Sequence, residues 1–233
     1  MKKILVVDNN DSFVYNIVEY LRQLHNCDIT TILFDNIETY IKNKSKEFNF
    51  NNSSDLYKYL PDLFDAIILS PGAKTPQEYA PMMNILDAVA DKMPILGICL
   101  GHQAIAMHYG IPLMHMSHPR HAHPSQLHLL LDEYDRDGKR CCHYCHKNKL
   151  HKKFLKGITE GSIIGRYHSW VASMPEADCE LECLGTDEDG NVMILAHKTL
   201  AVFGLQYHPE SIITSQGHEI IANFIELIPE RNQ

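Results

Sequence analysis

Residues 94–106 read PILGICLGHQAIA. An apolar run ends at Ile98, a cysteine stands between two close glycines, and apolar residues then recur at helical spacing. Residues 94–98 read as a strand buried on both faces, and residues 101–109 as a helix. Between them, Gly97-Ile98-Cys99-Leu100-Gly101 has the layout of a nucleophile elbow, a strained strand-to-helix turn that lifts one side chain out of the sheet. Small residues are needed on either side because chain segments approach closely there. A thiol on such a turn faces the free N–H groups and dipole of the helix start, which favour its anion. The N–H of the next residue, Leu100, can donate to a developing oxyanion. The competing reading is a small buried thiol in a Gly-flanked turn, and the pentapeptide alone leaves both open.

Working outward, KILVV (3–7), ITTILF (29–34) and AIILS (66–70) read as further strands. Phe13, Ile17, Tyr20 or Leu21, and Leu24 follow the first of them at helical spacing, with Asp11-Ser12 offering caps. Residues 78–91 read as a helix with Pro81 in its first turn. Strands alternating with helices predict a largely parallel sheet covered on both faces, an α/β architecture. The second half is richer in strands, at 127–131, 161–168, 179–185, 191–197 and 201–207, with a hairpin turn at 187–191. A helical stripe over 216–228 closes the chain. There is no internal repeat. Residues 42–58, rich in Asn, Lys and Ser, and residues 139–153, basic and crowded with Cys and His, read as insertions in a single domain spanning 1–233.

The bulk numbers narrow the classes. A chain of 233 residues that is 45% apolar can bury a full core. Its net charge of −8 argues against nucleic acid or an anionic membrane as partner, although 15 histidines would soften that charge in mild acid. The first apolar run is too short for a signal-peptide core, and no stretch approaches a membrane span. Seven irregularly spaced cysteines do not make a disulfide framework. The expectation is a soluble, reduced, cytoplasmic protein.

A nucleophilic cysteine needs a base and a group to orient that base. Residues 204–211 read GLQYHPES and end an apolar strand. Pro209 biases His208 toward extended backbone, where positions two apart face the same way. His208 and Glu210 can therefore share one site, Glu210 fixing the imidazole and His208 facing the thiol. Chemistry in open α/β sheets collects outside the carboxyl ends of the strands, where both segments would lie.

GICLGHQ together with QYHPES resembles the class I, or triad, glutamine amidotransferases, whose fold is flavodoxin-like. DNNDSFVYN (8–16) is similar to the opening signature of the amidotransferase component of anthranilate synthase and of aminodeoxychorismate synthase. RYHSW (166–170) resembles the Arg-Tyr-His-Ser-Leu segment of that subgroup, and HAHPS (121–125) sits where it reads His-Gly-Lys-x-Ser. The likeness runs from residue 3 to about 225, with both insertions as gaps. It implies Cys99 as nucleophile on the glutamine amide, His208 as base and then acid, and Glu210 as orienter. It implies that Gln103, Ser169 and the backbone of Trp170 hold glutamine. It also implies that the SPGAKTP loop (70–76), with Gly72, Ala73 and Lys74, lines the pocket and joins Leu100 in binding the oxyanion. Ala73 and Lys74 replace a proline and a glycine of the family loop, and lysine is disfavoured if that position needs φ > 0.

The function so implied is a glutaminase subunit without a cofactor of its own. It would deliver ammonia to a separate chorismate-binding synthase chain making anthranilate or aminodeoxychorismate. The rivals are a stand-alone γ-glutamyl cysteine hydrolase on the same fold, and a regulatory subunit that has lost turnover, which the Lys74 change motivates. Cys142 and Cys145, with His146, have a zinc-ligand spacing, but a second distant pair is missing, and the stretch reads first as a solvated basic loop.

Overall fold

The computed structural model describes residues 1–45, 53–117, 119, 122–130, 133–134, 140–141 and 148–230, with backbone only at 53, 54, 133, 134, 140 and 141. The first half comprises β1 (Lys2–Asn9), α1 (Val14–Gln23), β2 (Cys27–Leu33), α2 (Ile37–Lys44), α3 (Ser53–Tyr57), α4 (Leu60–Leu63), β3 (Ala66–Gly72), α5 (Ala80–Val89), β4 (Ile95–Ile98) and α6 (Leu100–His108). The second half begins with β5 (Leu113–His115), β6 (His123–Gln126), β7 (His128–Leu129), β8 (Glu133–Tyr134), β9 (Arg140–Cys141) and α7 (Lys149–Phe154). It ends with β10 (Ile163–Arg166), β11 (Trp170–Ala172), β12 (Leu181–Thr186), β13 (Val192–His197), β14 (Val202–Leu205) and α8 (Gly217–Leu227).

The central sheet has the order β2-β1-β3-β4-β14-β13-β12-β7. The strands from β2 to β14 pair in parallel, and those from β14 to β7 pair antiparallel. Burial on both faces explains why the centre of β1, residues 4–7, is apolar without a break. Leu5 and Val7 pack with Ile41, Leu86 and Ile105 on one face, and Ile4 and Val6 pack with Ile17, Leu21 and Phe224 on the other. Helices α2 to α6 cover the first face, and α1, α7 and α8 the second. No helix among the described residues is long and apolar enough to cross a membrane.

The stretches read as insertions are partly integral to the core. Leu56 and Tyr57, on the short helix α3, are fully buried. In the basic stretch, Asn148 caps α7, its side-chain oxygen accepting from Leu150 N at 2.9 Å. Phe154, next to the stretch's end, is fully buried and stacks on Phe203 at 4.1 Å. Burying a large apolar side chain contributes ~1.5–3 kcal/mol, which holds residues 149–153 in a packed helix rather than a solvated loop. Cys142, Cys145 and His146 lie outside the described residues. Among the described ones no group of three His, Cys, Asp or Glu could hold a metal ion. The expected caps at Asp11-Ser12 also differ. Helix α1 begins after Phe13 without a side-chain cap, and Asp11 Oδ1 instead accepts from Phe13 N at 2.8 Å, shaping the loop before the helix.

Candidate active site

The turn after β4 is strained. Cys99 has φ 51° and ψ −97°, outside the regions an L-residue occupies comfortably. Its backbone is tied down, the N–H donating to Leu205 O at 2.7 Å and the carbonyl accepting from Gln103 N at 3.0 Å. The flanking glycines exist for room. A Cβ on Gly97 would collide with the backbone of Gly101, and one on Gly101 with the carbonyl of Leu69. So β3, β4 and α6 meet backbone to backbone beneath the thiol.

β14 runs parallel beside β4 and carries the chain to the same end of the sheet. His208 follows, its N–H donating to Gly165 O at 2.9 Å and its carbonyl accepting from Thr214 Oγ1 at 2.6 Å. Glu210 Oε1 lies 2.7 Å from Nδ1 of the imidazole, and both side chains are buried. Burial works against the charged ring, but the neighbouring Cys99 and Glu210 outweigh it and hold the His208 pKa well above its ordinary value. With Nδ1 committed to Glu210, the buried Nε2 is the nitrogen left to serve the sulfur.

A cavity of about 320 Å³ opens above the thiol, lined by Gly72, Ala73, Lys74, Cys99, Gln103, His115, Tyr167, His168, Ser169 and Trp170. Gly72 is required there, because a Cβ would sit 2.5 Å from Leu100 Cδ2 and 2.9 Å from Asn9 Cβ. Gln103 Nε2 donates to Trp170 O at 3.0 Å and to Gln206 Oε1 at 3.3 Å. Gln206 Nε2 in turn reaches Cys99 Sγ at 3.8 Å. His168 joins from the side. Arg166 Nε donates to its Nε2 at 3.2 Å, so its proton resides on Nδ1, which donates to Trp170 O at 3.0 Å. Burial and the Arg166 guanidinium push its pKa down to about 3, and burial pushes that of His102, behind the turn, down to about 4.

A thiol on a strained turn at a helix start, a buried imidazole with its carboxylate, and a polar cavity above them suit acyl transfer from an amide. The family model for class-I glutamine amidotransferases matches residues 5–227. The chain belongs to the class-I glutamine amidotransferases. This amidotransferase is 31% identical over 228 residues to the anthranilate synthase component 2 of Pseudomonas aeruginosa, a match covering 95% of this chain and 94% of that one. It is 32% identical over 225 residues to the aminodeoxychorismate synthase of Streptomyces griseus, covering 96% of this chain. The chain spans only 26% of that protein, and 32% of another long relative. Among solved structures, a glutamine amidotransferase of Thermotoga maritima superposes with a TM-score of 0.62 at 14% identity, over 97% of this chain and 84% of that one. A Thermoplasma acidophilum protein assigned to GMP synthase superposes with a TM-score of 0.71 at 22% identity, over 97% of this chain and 93% of that one. Both support the fold.

Nearly all the residues singled out in the amidotransferase sequence converge. Gly72, Ala73, Lys74, Cys99, Gln103, Ser169 and Trp170 line one cavity, and His208 and Glu210 are buried beside Cys99. Leu100 does not line the cavity, but it begins α6 directly after the thiol. Gln206 was missed. The signal was present, since Gln206, His208 and Glu210 recur every second residue, but only the last two were read as a face. Tyr167 and Phe13 were also missed as neighbours of His208, because their contacts join segments far apart in the chain.

Lys74 does occupy a position that favours glycine, with φ 82°. Its ammonium pairs with Glu78 at 3.3 Å, at the surface. A non-glycine residue in this region costs ~1–2 kcal/mol, partly offset by the chain entropy that glycine would lose on folding. Lys74→Gly is therefore expected to stabilise the protein by ~0.5–1 kcal/mol. Urea unfolding tests this, and an unchanged or lower midpoint would show that the loop bears no such strain.

Proposed function

We propose that this amidotransferase is the glutaminase subunit of a chorismate-using synthase. The Cys99 sulfur attacks the side-chain amide carbon of glutamine. The tetrahedral oxyanion is met by N–H groups of Leu100 and of the loop through Gly72 to Lys74. His208, oriented by Glu210, takes the thiol proton as the sulfur attacks and gives it to the departing nitrogen, so that ammonia leaves and a γ-glutamyl thioester remains. Water, deprotonated by the same imidazole, then hydrolyses the thioester to glutamate and frees the sulfur. Gln103, Ser169 and the Trp170 backbone hold the amino-acid end of the substrate. No cofactor takes part in this half of the reaction.

The observation that carries the chemistry is the buried His208–Glu210 pair set against a thiol at φ 51° in the wall of the cavity. The acceptor is inferred from the opening motif and from the relative that is component 2 of anthranilate synthase. A separate chain supplies the chorismate-binding site and receives the ammonia. The test pairs the purified protein in turn with an anthranilate synthase component 1 and an aminodeoxychorismate synthase component 1. Glutamine-dependent product is expected with at least one. Failure with both, accompanied by hydrolysis of γ-glutamyl peptides by the isolated chain, would favour a stand-alone hydrolase.

A further inference from the structure

Hydrogen bonds alone do not fix the His208 ring. Glu210 holds the Nδ1 edge, and the backbone is anchored at Gly165 and Thr214, but neither braces the faces of the imidazole. Two aromatic rings surround it. Phe13 lies 5.3 Å from His208, centroid to centroid, at an interplanar angle of 66°. Tyr167 lies 4.9 Å away at 64°, and the Phe13 and Tyr167 rings are themselves 5.1 Å apart. All three separations fall in the favourable range for aromatic pairs, and both contacts with the imidazole are edge-type.

Both rings are anchored by contacts other than those with the imidazole. The Tyr167 hydroxyl is 3.0 Å from Ser211 Oγ, which accepts from Ile213 N at 3.2 Å. Phe13 comes from a tightly built turn. Asp8 Oδ1 accepts from Asn10 N at 2.7 Å, Asn10 adopts φ 60°, and Asp11 Oδ1 accepts from Phe13 N. Phe13 O accepts from Asn16 N at 3.0 Å as α1 begins. The opening motif, otherwise a sequence of turn formers without a place in the chemistry, thus delivers one ring to the imidazole.

The geometry points to Phe13 and Tyr167 as positioning residues that clamp the His208 imidazole in line with the Cys99 sulfur. This rests on the proposed role of Cys99 and His208. Neither ring has to touch the amide undergoing reaction. Phe13 does not line the cavity, whereas Tyr167 does. Loss of the Phe13 ring should therefore slow turnover without weakening glutamine binding, since a displacement of about 1 Å in a catalytic group can cost ~100-fold.

The experiment measures glutamine hydrolysis by the complex of this chain with its synthase. Phe13→Ala is expected to lower kcat ~10–100-fold with KM for glutamine within about twofold, and Phe13→Tyr, which keeps the ring, to restore kcat to within about threefold of wild type. Should the alanine variant fail to fold, Phe13→Leu decides, because it fills the space without an aromatic edge. A kcat for Phe13→Leu at the wild-type level overturns the clamp, and a drop of about tenfold at unchanged KM supports it. A kcat for folded Phe13→Ala within twofold of wild type likewise overturns it. Labelling by a chloroketone analogue of glutamine separates this failure from a deeper one. Wild-type protein that is not labelled at Cys99 overturns the triad reading and the clamp together, whereas normal labelling with an indifferent Phe13 overturns the clamp alone.

Discussion

Cys99→Ser is expected to abolish glutamine-dependent synthesis by the proposed complex with a synthase chain, by ~1000-fold or more, while synthesis from added ammonia stays within about twofold of wild type. The size follows from the step removed. A serine hydroxyl is a far weaker nucleophile than a thiol at neutral pH, and the site around residue 99 is shaped for sulfur. Gln206 Nε2 sits at a donor–sulfur distance of 3.8 Å, and the Cys99 and Glu210 side chains together outweigh burial in favouring the protonated His208 ring. The ammonia reaction is spared because it bypasses the cavity bounded by Gly72, Gln103 and Trp170. The substitution conserves volume beneath the loop, so the fold is not at stake. Comparing product formation from glutamine and from ammonium salts checks the prediction. Substantial glutamine use by the serine variant would remove Cys99 from the chemistry.

Asp187→Ala is expected to destabilise the protein by ~3–5 kcal/mol, a large fraction of the ~5–15 kcal/mol that holds a typical domain together. Arg166 is fully buried and paired with the equally buried side chain of Asp187. Removing one partner strands the other charge away from water, and this dominates the cost. The same carboxylate organises the turn after β12, accepting from Asn191 N at 2.7 Å, Asn191 Nδ2 at 2.8 Å and Asp189 N at 3.0 Å. Arg166 also donates to His168, whose other nitrogen bonds the Trp170 carbonyl at the cavity wall. The loss should therefore reach the substrate site and raise KM for glutamine. Denaturant unfolding reads the first effect and steady-state kinetics the second. A loss of stability under 1 kcal/mol would mean that water or another residue compensates the guanidinium.

The inner strands of the parallel half were legible because their centres are buried on both faces and therefore apolar without interruption. The runs at 3–7, 66–70 and 94–98 each lie within an observed strand or overlap all but its first residue. The strand-rich half was harder to read. Among its described residues the run at 127–131 contains the two-residue β7, while β6 lies just before it, where His123-Pro124-Ser125-Gln126 carries no apolar alternation. Residues 161–168 contain the four-residue β10, because the chain must leave that strand to bring Tyr167 and His168 to the cavity. Helix α3, at five residues, is too short to display a period, so Leu56 and Tyr57 passed for part of a polar surface stretch.

At the site, Cys99, His208 and Glu210 could be read because glycine, proline and alternation each leave a local trace. The ring pair around His208 and the Arg166–Asp187 couple could not. Each depends on which distant segments share an end of the sheet, and composition records nothing of that.

The place of β14 in the sheet, between β4 and β13, has a consequence for how the protein matures. The thiol and the Gln206 amide that approaches it are 107 positions apart, so the ribosome finishes the elbow long before it makes the residues that arm it. Until β14 slots in beside β4, a growing or truncated polypeptide bears a cysteine with neither base nor orienter, inert toward glutamine. Activity toward glutamine is thereby deferred until the last parallel strand has docked.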